Sequence, residues 1–417
     1  MNAAVERLKA AILALETPSW AEGTIDTKRL GIAVKGEAAP VGTKKLSAWL
    51  TDRAEPAPFG HAQKTKLDEK VRSTLRVKAR GKTQITGLGL EAILEAVEDN
   101  LGLTTKLSAA LLDVLVYPSG GKFLRHKDTP RTPEQVGTLN VEVPFTHKGG
   151  VMKLDDHSAK REVDWSKPAK QARWLALFGD VDHEIAKVTS GHRITLVYVL
   201  SQTKKPRTNA TLAAKSDALH DAIIALAAEK PKKDDYSFPR VLHVPCTRLA
   251  NAPITGKLAT SMLRGSDRII ADAFIACGLE TAVREVLIAQ NDDVDDEKFP
   301  ASFYGTATLK KPIPAKLLRS SMLSYTANPG GDYIEEDGGD IDIPSIAPYI
   351  VQNWNGSEAW IVRPAATATV VYSGLYSETG YFGNECDEGR IYKTVAIEVA
   401  VIPKKPTLAK PKKKKKK

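Results

Sequence analysis

Between about residues 111 and 202 the chain is written in short apolar runs of period two, cut by glycine pairs and prolines. In "GTLNVEVPF" (137–145) Leu139, Val141, Val143 and Phe145 alternate with Thr138, Asn140 and Glu142, which predicts a strand with unlike faces. "RWLALFGDV" (173–181) and "HRITLVYVL" (192–200) are two more apolar, β-branched runs, separated by the turn-forming "TSGH". Strands this short and closely spaced suit a sandwich or jelly roll rather than a βαβ fold.

Around this β segment the texture changes. Residues 1–100 read as a mostly helical region, in which "LGLEAILEAVEDNL" (88–101) carries Leu88, Leu90, Ile93, Leu94 and Val97 at helical spacing before the breaker Gly102. "TKLSAALLDVLVYPSGG" (105–121) moves from helix-like into strand-like, so the β domain is placed at 101–202. Polar, basic, proline-containing sequence at 203–210 reads as a linker. An α+β region follows at 211–403, with amphipathic helices in "LAAKSDALHDAIIALAAEK" and "SDRIIADAFIACGLETAVREVLIAQ" and a β-rich stretch from Tyr333 to Pro403. The expected class is α+β: a jelly-roll core with flanking helices and a second, C-terminal α+β region.

The net charge of +10 suggests an anionic partner, but nine of the last fourteen residues are lysine, and without them the charge is +1. The body is near neutral, and the tail 404–417 should be disordered and solvated. It would be the only route to nucleic acid or an anionic surface, or a nuclear address in a eukaryote. Cys246, Cys277 and Cys386 are odd in number and widely spaced, so neither a disulfide framework nor a zinc site is indicated, and a reducing, cytoplasmic compartment is expected. The N-terminal twenty residues read as a short amphipathic helix, since Glu6, Arg7 and Lys9 interrupt any signal-peptide core, and no apolar run is long enough for a membrane span.

Chelating residues stand inside the β segment. His126 and Asp128 are two apart in "GGKFLRHKDTP", so on an extended strand they share a face. His183 opens a later strand in "FGDVDHEIAKVTSGHRITLVYVL". Two imidazoles and one carboxylate form a facial set that leaves three coordination positions free, which suits non-haem Fe(II) handling O2 and a co-substrate. Arg193, ten residues after His183, offers a guanidinium fork for the far carboxylate of 2-oxoglutarate. Thr195 shares its strand face, and Tyr117 in "LVYPSGG" is a third candidate partner; for both, barrel-wall packing is the competing role. His192 should point away from Arg193, and His147 and His157 read as polar loop residues around Gly149 and Gly150. "NDDVDDEK" (291–298) lacks the glycine and terminal glutamate of a calcium loop. There is no P-loop, dinucleotide fingerprint or serine elbow.

These residues resemble the prolyl 4-hydroxylase-like Fe(II)/2-oxoglutarate-dependent dioxygenases. The resemblance covers about 111–202, through "YPSGGKFLRHKDTP", "GTLNVEVP", the Gly149–Gly150 pair and the His183–Arg193 segment. Looser matches to large relatives lie in "PFGHAQKTKLDEKVR" (58–72) and "TGYFGNECDEGRIYKTVAIEVAV" (379–401). It implies His126, Asp128 and His183 as iron ligands, Arg193 as the anchor of 2-oxoglutarate, ascorbate as an auxiliary reductant, and a protein or peptide substrate, with succinate and CO2 released. Two departures stand out: the collagen-modifying branch usually has Lys at the anchor, and the nucleic-acid demethylase branch has a second Arg where this chain has Val199. Asp128 also leaves no coordination site vacant for halide. Two other readings stay open: a silent oxygenase fold acting as a binding scaffold, and an oxygenase of nucleic acid or chromatin tethered by the lysine tail.

Overall fold

Strand pairing, not helix packing, organises the first half of the chain. The computed structural model describes residues 3–207 except 27, 62–63, 80, 129–131, 133, 157–158 and 168–170, and then 210–229, 238–247, 263–291, 305–308, 359–361, 369–377 and 386–401. His157, most of the acidic run at 291–298 and the tail 404–417 lie outside the described residues.

A seven-stranded antiparallel sheet runs, edge to edge, Trp20–Ile25, Ala172–Phe178, Gln135–Val143, Arg193–Pro206, Thr105–Tyr117, Leu75–Lys78 and Glu55–Pro56. A five-stranded antiparallel sheet runs Lys160–Val163, Met152–Asp155, Asp182–Ile185, Lys122–His126 and Arg72–Ser73. A short ribbon pairs His147–Gly149 with Val188–Gly191. Setting the ribbon aside, the eight strands from Thr105 to Pro206 lie in the order sixth, third, eighth, first in the large sheet and fifth, fourth, seventh, second in the small one. The chain therefore crosses repeatedly between two layers, which share one core containing Leu139, Val141, Leu154, Leu175, Phe178 and Ile194.

Several expectations are corrected. The first hundred residues are not mostly helical: besides Ala3–Ala14, Leu46–Thr51 and Leu90–Asn100 they form nine short strands. Strands of two to six residues broken by turns show no period, so they leave little trace in the sequence. The edge strand Trp20–Ile25 belongs to the large sheet, so a boundary at residue 100 does not separate the two. "TKLSAALLDVLVY" is a strand throughout, because its antiparallel pairing with Arg193–Pro206 overrides the helical leaning of its alanines and leucines. The supposed linker at 203–210 is strand to Pro206 and helix from Ala210. Arg207 between them is pinned by ion pairs to Glu98 and Asp99, each 2.7 Å.

The C-terminal region holds the helices Ala210–Ala228 and Gly265–Ala276 against a mostly antiparallel sheet centred on Cys386–Ala400. Its core includes Leu219, Ile223, Phe274, Val283 and Ile397, and also Val5, Leu8 and Ile12 of the N-terminal helix. No helix among the described residues is long and apolar enough to cross a membrane.

Candidate metal centre and a buried arginine cluster

His126 and His183 are direct cross-strand partners in the small sheet, so their side chains leave the same face. Their ring centroids are 4.2 Å apart. Asp128 sits two residues past the end of Lys122–His126, outside the strand on which the sequence placed it. It reaches the same point: a carboxylate oxygen and two imidazole nitrogens lie within 4.8 Å of one another, and Asp128 Oδ1 is 3.9 Å from His183 Nε2.

The hydrogen bonds around these groups favour metal binding. His126 Nδ1–H donates to the Leu124 carbonyl at 2.8 Å, and His183 Nδ1–H donates to the Val181 carbonyl at 3.0 Å. A carbonyl can only accept, so each Nδ1 carries the proton and each Nε2 presents its lone pair. This outer support fixes tautomer and ring orientation, as metal-bound histidines require. The Thr138 hydroxyl donates to Asp128 Oδ2 at 2.8 Å. Burial, helped by neighbouring His183 and opposed by Asp128, pushes His126 down to about 3, so its ring is neutral. The Phe123 ring stacks on His126 with centroids 3.5 Å apart, and the Arg72 guanidinium lies over the Phe123 ring, 4.4 Å from its centroid. Two imidazoles that each keep Nδ1 on a backbone carbonyl, together with a carboxylate, fit a non-haem Fe(II) ion.

A second cluster lies on the large sheet. Tyr117 pairs with Arg193 across the strands, and Thr195 faces Glu142 in the same way. Arg193 is 2% exposed; its Nη1 donates to Thr195 Oγ1 at 2.9 Å, and its guanidinium lies 5.4 Å from the Tyr117 centroid and 5.0 Å from that of Trp165. Burial works against its charge, with Tyr117 and Glu142 opposing that effect. Arg193 Nε is buried without a hydrogen-bond partner. Gly150 sets the space here: at φ +71°, a Cβ on it would come 3.0 Å from Arg193 Cδ.

The structure thus gathers His126, Asp128 and His183 at one point and Tyr117, Arg193 and Thr195 at another. It corrects the reading of His147, which is not a loop residue but a buried member of the short ribbon. The polar side of Gln135–Val143 is also buried, since Thr138, Asn140 and Glu142 are each 5–7% exposed. Arg173 holds Glu142 through two bonds of 2.7 Å and donates to the carbonyls of Asp164, Trp165 and Lys167. The sequence did not single out Thr138, Trp165 or Arg173. Only the alternation through Thr138 and Glu142 could have signalled a polar interior.

Fold and cluster together define a two-layer antiparallel β unit carrying a His-x-Asp…His group that could hold a metal ion. No family model matches the chain, and no curated protein matches it. Among solved structures it is similar to a prolyl-4-hydroxylase from Pseudomonas putida at 16% identity, over 47% of this chain and 99% of that one, with TM-score 0.27. It is similar to an oxidoreductase of the 2OG-Fe(II) oxygenase family from Burkholderia pseudomallei at 13% identity, over 49% of this chain and 94% of that one, with TM-score 0.27. A prolyl hydroxylase from Trichoplax adhaerens, in complex with a hypoxia inducible factor oxygen degradation domain peptide fragment, matches at 13% identity over 48% of this chain and 90% of that one, with TM-score 0.29.

Proposed function

We propose that the protein is an Fe(II)- and 2-oxoglutarate-dependent dioxygenase of jelly-roll fold that hydroxylates a protein side chain. The observation that carries this is the convergence of His126, Asp128 and His183 within 4.8 Å, with both imidazoles held in the ligating tautomer. The interleaved order of the eight strands supports the jelly-roll assignment. Arg193 supports the co-substrate: it is a buried cation whose charge is disfavoured by burial and whose Nε has no partner, so a carboxylate would satisfy both needs. Thr195 and Tyr117 orient the fork by a hydrogen bond and by ring contact.

Fe(II) with 2-oxoglutarate and O2 supplies the oxidising chemistry that inserts oxygen into an unactivated C–H bond, with succinate and CO2 as co-products. This chain's residues would present three ligands, fix their orientation and offer the buried Arg193 to the far carboxylate of the co-substrate. A protein or peptide substrate is supported by the resemblance of the 111–202 segments to prolyl 4-hydroxylase-like enzymes, with ascorbate as the accompanying reductant.

Anaerobic titration of the apoprotein with Fe(II) and then 2-oxoglutarate tests the reading. The visible metal-to-ligand charge-transfer band should appear for the wild type and be lost in His126→Ala. Arg193→Ala should need roughly 10- to 100-fold more 2-oxoglutarate, the equivalent of one charge-assisted hydrogen-bonding group. A folded wild type that develops no band would overturn the proposal.

A further inference from the structure

His147 carries chemistry that the metal centre does not use. It is 4% exposed, on the ribbon strand His147–Gly149 opposite Gly191, and a Cβ on Gly191 would come 2.9 Å from the His147 Cα. That glycine lets the ribbon close and turn the ring inward. The His147 Nδ1–H donates to the Phe145 carbonyl at 3.0 Å, the same arrangement that holds His126 and His183. Nε2 of the neutral ring is therefore a bare lone pair, and it is buried with no hydrogen-bond partner. Arg193 follows two residues after Gly191, the strand partner of His147, and its Nε is also buried without a partner. Buried polar groups are rarely left unpaired, and two on paired neighbouring segments point to a missing ligand.

We infer that His147 is a second binding group for the distal carboxylate of the co-substrate, and that it takes up one proton from solvent when the dicarboxylate binds. This rests on the 2-oxoglutarate reading above. A carboxylate has two oxygens; one would accept from Arg193, the other from His147 Nε2–H. Without a ligand, burial is the largest effect and, with the weaker push of Arg193, keeps the imidazole below its ordinary value, against the Phe145 carbonyl, Glu142 and Asp164. Of the neighbouring groups, Arg173 is bonded to Glu142, and Tyr117 faces Arg193. A carboxylate arriving at Nε2 favours the imidazolium. The step forms one N–H bond at the Nε2 lone pair and breaks none in the ligand; solvent supplies the proton.

The sign follows from linkage. Binding that takes up a proton weakens as pH rises, by up to tenfold per unit between the free and bound values of the histidine. Calorimetric titration of the full-length, Mn(II)-loaded protein with 2-oxoglutarate at neutral pH, in two buffers of different ionisation enthalpy, counts the protons. The wild type should take up close to one proton per site. His147→Gln keeps an N–H donor that does not titrate, so it should bind with no proton uptake and a flat pH dependence. His147→Ala should bind about tenfold more weakly. A wild type that binds without proton uptake, or a His147→Gln variant that retains the uptake, overturns the inference and leaves the co-substrate site standing. A wild type that does not bind 2-oxoglutarate overturns both. A purely structural histidine would not move the proton count.

Discussion

Asp128 is ordered by a residue ten positions away. It lies beyond its strand, so its own backbone does little to aim the carboxylate, and the Thr138 hydroxyl holds Oδ2 at 2.8 Å while Oδ1 faces His183. Thr138→Val keeps the β-branched shape and deletes the donor. Losing such outer support typically costs 10- to 100-fold in metal affinity. Competition with a chelator should show a loss of about that size with unchanged melting of the apoprotein; equal affinity would mean that Thr138 is only wall. At this scale the sequence was partly legible. The convergence of His126, Asp128 and His183 could be read because chelators are few and their spacing is informative, and the Arg193–Thr195 contact because strand alternation puts the two on one face. His147 could not, because a three-residue strand beside two glycines shows no alternation and reads as a turn. Thr138 could not, because a hydroxyl in a strand says nothing about the partner it will meet.

Among elements, the strand Gln135–Val143 reaches both clusters, through Thr138 at Asp128 and Glu142 opposite Thr195. Its two unlike faces were legible, but unlike faces usually mean one side in water, and here both are buried. The polar face turns inward, carrying Thr138 to the metal ligand and Glu142 to Arg173. Arg173 in turn holds the carbonyls around Trp165, whose ring lies against Arg193, so the ion pair braces the surroundings of Arg193. Removing one partner strands a charge: Arg173→Met leaves Glu142, only 7% exposed at its side chain, without its cation. The cost in such cases is about 3–5 kcal/mol, and replacing both partners by apolar residues is often near neutral. Arg173 keeps 19% of its side chain exposed, so the lower end of that range applies. In urea denaturation the single variant should lose about 3 kcal/mol and the Glu142→Met/Arg173→Met double variant should recover most of it. Additive losses would show that the two residues act independently. The strand Thr105–Tyr117 shows why other elements were misread: local preference there favours helix, and a partner ninety residues away decides otherwise.

At the scale of the whole molecule the chain builds two cores, and its first helix belongs to the one assembled last in sequence. Ala3–Ala14 was legible as an amphipathic helix, but its destination was not, because periodicity gives a buried face and not the surface that covers it. Val5, Leu8, Ile12 and Leu15 lie in the core with Leu219, Ile223 and Phe274, while the following strand, Trp20–Ile25, edges the seven-stranded sheet. The chain thus starts in the C-terminal core, passes into the two-layered β unit and returns. Leu8 is fully buried at 0% exposure, so Leu8→Ala removes a side chain from a filled site, at a cost of about 2–5 kcal/mol. Since Leu8 belongs to the second core's cluster, that loss should fall first on that unit of the molecule. Urea titration followed by far-UV circular dichroism and, in parallel, by the Fe(II)–2-oxoglutarate band should separate the units. In Leu8→Ala an early transition should remove helical signal while the band persists to its wild-type midpoint. If the band and the helical signal instead fall together at a lowered midpoint, the two cores fold as one, and the N-terminal helix stabilises the metal centre as directly as the strands of the β unit do.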